Sequence, residues 1–344
     1  MIPNERKSLA PALLEILRRY SDENHRLSQK EIAELLYKDY GKTVDRKTLS
    51  RNLKSLIDIG YDIEYSERTR KNADIKQTVM TDFYINREFS ESELRVIIDY
   101  LMFARLPYSA CEKLIEKLKN LASSHFAPKV RHVTNLQQTS VENKQLFYTI
   151  DILSEAIHKN KQVSFNYNKY GKDKKLHPNL YSDGNIKIFT INPYQTIYSC
   201  GRYYLIGNLD KYDNLSHWRI DKITDIQILD TASKKMKTVK GAEHGIDLAK
   251  HFVEHIYMFS GEIITARFTA DSFLVDDIVD WFGMGAKIID KGDDKIEVAV
   301  RVNETAMLFW CLQYGGYVEL TEPLSLREKI ADKIKIMAEK YGTN

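Results

Sequence analysis

The most specific stretch of the sequence is residues 192–223, which read NPYQTIYSCGRYYLIGNLDKYDNLSHWRIDKI. Short apolar and aromatic runs are separated here by glycine, asparagine and aspartate, which predicts several short β-strands joined by turns. Tyr203 and Leu205 point to one face of their strand, whereas Tyr204 points to the other. About half of the aromatic side chains in this region are therefore expected to belong to the core of a sheet.

The same region combines aromatic with basic side chains. Aromatic rings stack on nucleic-acid bases, and arginine adds positive charge and cation–π contacts. This combination predicts a site for a nucleotide or a single-stranded nucleic acid. Asp221 is expected either to orient Arg219 or to contact the ligand. The candidate effector-binding residues are Tyr167, Tyr194, Arg202, Tyr204, Trp218, Arg219 and Lys222.

Two motifs in this stretch, GRYYL at 201–205 and WRIDKI at 218–223, resemble the WYL-domain family of bacterial transcription regulators. The resemblance extends over the whole chain. It implies an N-terminal winged helix-turn-helix, a middle WYL domain built as an Sm-like β-barrel, and a C-terminal extension. It also implies that aromatic and basic side chains of the barrel bind a regulatory ligand.

The chain departs from the family pattern at three positions. Tyr203 stands in place of the tryptophan for which the family is named, and Lys222 stands where arginine is common. Asn192 precedes Pro193 where many members have histidine. These exchanges preserve the aromatic surface and the positive charge that such a ligand site needs.

The predicted fold class is a multidomain α+β protein. The expected domains are a winged helix-turn-helix DNA-binding domain at 1–88, a helical connector at 89–142, the WYL effector-binding domain at 143–232 and a C-terminal extension at 247–344. Two polar segments, 128–143 and 231–246, are expected to be linkers. A β-α-β-β-α-β order after residue 262, followed by a last helix, predicts a ferredoxin-like extension. Such extensions commonly support dimerisation in the family, so the resemblance implies a homodimer.

Three helical patterns occupy the first sixty residues. Apolar residues recur at helical spacing over 9–20. Ser28 and Glu31 form an S-x-x-E capping box at the start of a second helix, which ends at Gly41. A third helix is predicted over 44–59. Two helices joined by the short segment 41–43 are typical of a helix-turn-helix.

The third helix has two different faces. At about 100° per residue, Leu49, Leu53 and Leu56 share one face, and basic residues cover another. An apolar back with a basic front suits a helix that lies in the major groove, although a solvated helix surface can have the same pattern. The candidate DNA-binding residues, with those of the following hairpin, are Arg46, Lys47, Thr48, Ser50, Arg51, Lys54, Arg68, Arg70 and Lys71.

A β-hairpin is predicted after Gly60. Ile63 and Tyr65 alternate with polar residues, as do Phe83 and Ile85, which predicts two strands. The tip is expected to be a long basic loop over 68–79. It forms either a wing that contacts phosphate or the minor groove of double-stranded DNA, or an ordinary solvated loop.

Composition excludes several classes of protein. The 344 residues are 43% hydrophobic and 29% charged, with a net charge of +3, which is typical of a globular protein. No apolar run approaches the about 20 residues of a membrane-spanning helix, so no membrane partner is expected. Three widely spaced cysteines exclude a disulfide framework and favour the cytoplasm.

The strongest enzyme motif is H-x-x-E-H at 251–255, a zinc-peptidase pattern in which two histidines bind the metal and glutamate acts as base. No third-ligand motif follows it, so His251 and His255 are expected to be exposed or capping residues of a connector helix. The sequence predicts no enzyme, no cofactor and no metal. A nucleic-acid-binding accessory protein without operator specificity is the alternative to a regulator.

Overall fold

The computed structural model describes residues 9–72, 75–103, 106–127, 130, 143, 145–199 and 201–342. The chain divides into two compact units, Met1–Glu142 and Asn143–Asn344. Both units mix helices with antiparallel strands, as the α+β prediction requires. Within the described residues, no helix combines the length and the apolar character needed to cross a membrane.

The first unit contains five helices and one hairpin in its described residues. In chain order these are α1 (Leu9–Tyr20), α2 (Gln29–Tyr40), α3 (Arg46–Asp58), β1 (Ile63–Asn72), β2 (Ile75–Ile85), α4 (Glu91–Phe103) and α5 (Tyr108–Lys119).

Side-chain caps set the helix starts in this unit. The Ser28 hydroxyl accepts from the Glu31 backbone N–H at 3.3 Å, and the Glu31 carboxylate accepts from the Ser28 N–H at 2.7 Å. This is the predicted capping box. The helix α3 begins at Arg46 rather than at residue 44, because the Asp45 carboxylate accepts from the Thr48 N–H at 2.9 Å and ends the preceding turn.

One apolar core holds α1, α2, α3 and the hairpin together. Fully buried side chains come from each element, including Leu17 of α1, Ile32 of α2, Leu53 of α3 and Phe83 of β2. Phe83 also exchanges two backbone hydrogen bonds with Leu27, each 2.8 Å long. The hairpin is therefore part of the folded core and not an appendage to it.

The hairpin strands are longer than predicted. Pairing continues from Arg68 and Val79 to Asn72 and Ile75, so the expected twelve-residue loop is mostly strand. The prediction was wrong because Arg70, Lys71 and Asn72 are consecutive polar residues, so the segment lacks the alternation of apolar and polar residues by which a strand is predicted. Residues 73–74 lie outside the described residues, as does most of the predicted linker 128–143.

The second unit begins with a helix and a bent sheet. Its elements are α6 (Leu146–His158), β3 (Lys161–Tyr170), β4 (Leu176–Pro178), β5 (Ile188–Ser199), β6 (Arg202–Leu209), β7 (Ser216–Arg219) and β8 (Ile223–Ala232).

The strands of this sheet follow the order β8-β3-β5-β6-β7, and β4 continues the β5 edge of β3. A single turn of 3₁₀ helix, Ile220–Lys222, connects β7 to β8. In the described part of the chain these two strands do not pair, so the closed barrel expected from the resemblance is not found. The turn nevertheless brings residues of both edge strands close together.

The polar segment 231–246 is not a free linker. It contains a 3₁₀ turn, Met236–Thr238, and it buries Val239 and Ala242 against Tyr194, Ile206 and Leu215 of the sheet. Only two apolar residues of the segment are fully buried, which is too few to give a recognisable period in the sequence.

The rest of the second unit is a four-stranded antiparallel sheet with helices. Its elements are α7 (Leu248–Glu254), β9 (Ile263–Asp271), α8 (Val275–Phe282), β10 (Lys287–Gly292), β11 (Lys295–Asn303), α9 (Glu304–Gln313), β12 (Val318–Glu322) and α10 (Leu324–Lys340). The strand order is β10-β11-β9-β12. The elements from β9 to β12 follow the β-α-β-β-α-β order that the sequence predicts. Phe268, Phe282 and Trp310 pack together in its core.

Candidate functional site

The helix α3 presents an apolar face to the core and a basic face to solvent. Leu49, Leu53 and Leu56 are at most 3% exposed, as the helical pattern predicts. On the other side the four basic side chains of the predicted DNA-binding set are exposed, and the two hydroxyl side chains are half-buried. These six residues are Arg46, Lys47, Thr48, Ser50, Arg51 and Lys54.

Three of these basic side chains lack an ion pair among the described residues. Lys47, Arg51 and Lys54 form no ion pair with any residue that the structure describes. Their positive charge is therefore not neutralised within the described part of the first unit. An exposed helix with unpaired arginine and lysine can bind phosphates and reach base edges.

Arg46 has a different environment from the other three. Its Nε donates to the Gln29 side-chain oxygen at 3.1 Å, and the Gln29 amide nitrogen donates to the Met80 carbonyl at 2.9 Å. This chain of hydrogen bonds joins α3 to α2 and to the hairpin. Arg46 thus helps to position α3, and Gln29 is a supporting residue that the sequence did not reveal.

The hairpin contributes less free charge than predicted. The Arg68 guanidinium donates to the Asp82 carboxylate at 3.0 Å across the two strands, which offsets its positive charge. The side chains of Arg70 and Lys71 lie outside the described residues, so those two predictions remain untested.

A second candidate surface lies on the bent sheet of the second unit. Four aromatic rings from β3, β5 and β7 pack together, namely Phe165, Tyr167, Phe189 and Trp218, and the Trp218 ring meets each of the others edge to face. The Trp218 ring centroid lies 4.9 Å from that of Tyr167 and 5.0 Å from that of Phe189. Phe165 is buried beneath them, and the other three rings are half-buried. We refer to these four residues as the aromatic cluster.

Arg219 lies beside this cluster in a fixed orientation. Its Nε and Nη2 donate to the two oxygens of Asp221 at 3.0 and 2.5 Å, and its backbone N–H donates to the Tyr167 hydroxyl at 3.2 Å. Burial opposes the charged form of Arg219, but the hydrogen bonds to Asp221 and the charge of Asp221, with smaller effects of Tyr204 and Tyr170, together outweigh burial and raise the pKa of Arg219. Of the two roles expected for Asp221, orienting Arg219 is the one that the geometry supports.

Two further basic side chains lie near Arg219. Burial lowers the pKa of Lys222, and the charges of Arg219 and Arg202 lower it further, against the opposing effect of Asp221. The Lys222 ammonium also lies 5.6 Å from the centre of the Tyr170 ring. The Arg202 Nε is buried and has no hydrogen-bond partner among the described residues. We call Arg202, Arg219 and Lys222 the basic triad.

Comparison with known proteins identifies the two parts of the second unit. Residues 148–228 match the WYL domain, and residues 262–338 match the WCX domain. The chain therefore contains a WYL domain followed by a WCX domain. The aromatic cluster and the basic triad both lie inside the residues matched to the WYL domain.

Solved structures give weaker similarities. Proteasome accessory factor B/C (PafBC) of Arthrobacter aurescens is 16% identical, with 96% of this chain and 48% of that chain covered and a TM-score of 0.28. A CRISPR Cas-related protein is 14% identical, with 96% and 84% covered and a TM-score of 0.40. The chain thus spans about half the length of PafBC. A search of curated proteins finds none that matches.

Two predicted effector-binding residues of the WYL domain belong to its core. Tyr194 and Tyr204 are 7% and 8% exposed. The Tyr194 hydroxyl donates to the Lys234 carbonyl at 2.9 Å, and burial, helped by the charge of Asp210, raises its pKa to about 12. The structure thus brings Tyr167, Trp218 and the basic triad together. Tyr204 is buried but lies opposite Arg219 on the neighbouring strand, whereas Tyr194 packs in a separate apolar cluster. Phe189, which the sequence did not single out, takes its place in the aromatic cluster.

The two histidines of the H-x-x-E-H motif are buried rather than exposed. His251 and His255 are 7% and 6% exposed, and both lie next to His217 of the WYL domain. His255 caps the C-terminus of α7, as expected, although it is buried. The expectation was wrong for His251, which is buried inside the helix because the residue that it contacts, His217, lies 34 positions earlier in the sequence. The sequence singles out the neighbouring Trp218 as a candidate ligand residue. No motif or spacing in the sequence indicates that His217 contacts the histidines of α7.

Proposed function

We propose that this WYL-domain protein is a ligand-responsive, DNA-binding transcription regulator that acts in the cytoplasm without catalytic activity of its own. The observation that carries the proposal is the two-faced helix α3, with leucines in the core and unpaired basic side chains in solvent. The order of three helices and a hairpin supports a winged helix-turn-helix in which α3 is the recognition helix.

The exposed face of α3 divides into two kinds of contact. Arg51 is proposed to bind a base edge, because an arginine can donate two hydrogen bonds to the O6 and N7 atoms of guanine. Lys47 and Lys54 are proposed to bind phosphates, and these contacts position the helix without reading sequence. Arg46 positions α3 through Gln29, so its replacement would act partly through the fold.

The WYL domain is proposed to bind the regulatory ligand, a nucleotide or a single-stranded nucleic acid. Its basic triad supplies positive charge, and the unpartnered Arg202 Nε is a donor that an anionic group would satisfy. The half-buried rings of the adjacent aromatic cluster are surfaces on which a base could stack.

Regulation requires a coupling between ligand and DNA. We propose that the protein is a homodimer held by its WCX domain, since a two-fold protein doubles the base contacts of one short helix on a palindromic site. Ligand binding would favour one arrangement of the two DNA-binding domains and change DNA affinity by about 1–3 kcal/mol.

The test is a gel-shift titration at fixed salt with DNA from upstream of the protein's own gene. Replacement of Arg51 by alanine should weaken specific binding by about 1–3 kcal/mol. Replacement of the exposed Lys335 on α10 is the matched control and should leave binding unchanged. Equal affinity of the wild type and the Arg51→Ala variant would refute the assignment of α3 as the recognition helix.

The aromatic cluster and the basic triad favour a second candidate function. In that case the WYL domain is the main nucleic-acid-binding surface, and the protein is an accessory module without operator specificity. A footprint separates the two, because a regulator protects one defined site on upstream DNA. Binding that depends on the length of the nucleic acid but not on its sequence supports the accessory module.

A further inference from the structure

Three buried histidines meet at the edge of the WYL domain. His217 lies on β7, whereas His251 and His255 come from α7 and its C-terminal cap. One nitrogen from each ring falls in a group whose members are all within 4.8 Å of one another. The Nε2 atoms of His217 and His251 are 2.7 Å apart. We refer to the three residues as the histidine cluster.

Local backbone contacts hold the cluster in place. His251 and His255 lie four residues apart, so they project from one face of a helical turn, and the His255 N–H donates to the His251 carbonyl at 3.0 Å. The backbone N–H of His217 donates to the Ser260 hydroxyl at 2.9 Å. This bond ties β7 to the chain segment that follows α7, so the cluster does not rest on ring contacts alone.

The hydrogen bond of the His255 ring leaves its other ring nitrogen free to bind a metal ion. The Nδ1 atom of His255 lies 3.0 Å from the Phe259 carbonyl. A carbonyl only accepts, so Nδ1 carries the proton and Nε2 keeps its lone pair. Metal-bound histidines commonly donate their other ring N–H to a backbone carbonyl in this way.

Glu254 does not take the place that the peptidase motif gives its glutamate. Its carboxylate accepts from the Arg301 Nε at 2.9 Å, and the Lys250 ammonium lies 4.0 Å away. An ion-paired carboxylate of this kind is not available as a general base. The cluster therefore has the donors of a metal site without the catalytic base of a metallopeptidase.

We propose that His217, His251 and His255 bind a divalent transition-metal ion of the zinc type, with water or a small anion as fourth ligand. Imidazole nitrogens suit zinc, which prefers four ligands in a tetrahedron at about 2.0–2.1 Å. That geometry separates ligand nitrogens by about 3.3 Å. The cluster has one pair closer than this distance and an upper limit of 4.8 Å, so small ring rotations suffice.

Such an ion would connect two parts of the second unit. It would fasten α7, which precedes the WCX domain, to the strand whose next two residues are Trp218 and Arg219. The metal site would thus stabilise the strand that carries part of the proposed ligand surface. The inference does not rest on the proposed regulatory function, since metal binding is measured without DNA or effector.

The first experiment uses the full chain without an affinity tag. The protein is treated with a chelator, desalted, incubated with excess Zn²⁺ and passed through gel filtration before elemental analysis. About one zinc ion per chain should be retained. With Co²⁺ in place of Zn²⁺, the protein should develop the intense visible absorption of tetrahedral cobalt. A wild-type protein that retains no zinc and gives no cobalt spectrum overturns the proposal.

The second experiment identifies the ligands. The variants His217→Gln and His251→Gln should lose retained zinc to the level of a buffer blank, and the cobalt spectrum should disappear. His244→Gln changes an exposed histidine just before α7 and should bind like the wild type. Circular dichroism shows whether each variant is folded. If a variant is unfolded, the cobalt spectrum of the wild-type protein remains the test of metal binding. Full zinc retention by a folded His217→Gln variant would also overturn the proposal.

Discussion

At the scale of single residues, the WYL domain uses one carboxylate to organise a cationic surface. Asp221 and Arg219 are only 19% and 20% exposed in their side chains, and two hydrogen bonds join them. A bidentate pair of this kind fixes the plane of the guanidinium as well as its position. The role of Asp221 is therefore to orient Arg219, although its negative charge works against the binding of an anion.

Removal of the Asp221 carboxylate should therefore weaken the binding of an anion, whereas charge alone would predict tighter binding. The variant Asp221→Ala makes the surface more positive, yet it should bind a short single-stranded oligonucleotide about tenfold more weakly, equal to about 1.4 kcal/mol, because Arg219 loses its orientation. Fluorescence anisotropy measures the change. The control Asp230→Ala removes an exposed carboxylate that has no contact with Arg219 and should bind as well or better. Tighter binding by Asp221→Ala would contradict the positioning role.

Tyr194 shows how a predicted ligand residue can serve the core. The variant Tyr194→Phe leaves the half-buried Lys234 carbonyl without its donor and should lower the free energy of unfolding by about 0.5–1.5 kcal/mol. The exposed Tyr198→Phe is the control. Urea unfolding followed by circular dichroism measures both. Oligonucleotide affinity should remain unchanged in Tyr194→Phe, and a large loss of affinity would restore Tyr194 to the ligand site.

The raised pKa of Tyr194 also predicts a pH dependence. The folded state holds the neutral phenol up to about pH 12, whereas an unfolded tyrosine ionises near 10.0. A folded-state pKa above the unfolded value means that this contribution to stability is complete below pH 10 and is lost as the pH rises toward 12. The stability advantage of the wild type over Tyr194→Phe should therefore shrink across that range and then reverse, because the phenylalanine variant has no group that ionises there.

At the scale of elements, the N-terminal helices follow from local signals. Capping boxes and apolar periods lie within a few residues of one another, so the sequence alone locates α2 and the leucine face of α3. The packing of 231–246 and the histidine cluster depend on residues far apart in sequence. His217 and His251 are 34 positions apart, and no local period connects them. For this reason the basic helix was predictable from the sequence and the histidine cluster was not.

The capping box of α2 is itself testable. The variant Ser28→Ala removes the acceptor for the Glu31 N–H and should destabilise the first unit by about 0.5–2 kcal/mol. Ser55→Ala changes an exposed serine inside α3 and should be neutral or slightly stabilising, because alanine favours helix. Chemical unfolding monitored by circular dichroism compares the two. Equal stability of the two variants would show that the cap contributes little to this unit.

At the scale of the whole molecule, the salt dependence of DNA binding should follow the local charge of residues 42–54 and not the net charge of the chain. The chain carries a net charge of only +3, but residues 42–54 contain five basic side chains and a single acidic one. Phosphate binding releases counterions from DNA, so the logarithm of the binding constant falls with the logarithm of salt concentration by about 0.9 per neutralised phosphate. DNA affinity should thus depend on salt far more steeply than the net charge suggests.

The salt dependence of DNA binding also gives the number of α3 helices that contact DNA in one complex. If Lys54 binds one phosphate in each protomer, Lys54→Ala should reduce the salt slope by about 1.8 for a homodimer and by about 0.9 for a monomer. Lys335→Ala on α10 should leave the slope unchanged. Anisotropy titrations at several salt concentrations give the slopes, and sedimentation of the complex gives the number of chains independently. A dimeric complex whose slope is the same in the wild type and Lys54→Ala would mean that this side chain does not touch DNA, because release of counterions requires a neutralised phosphate.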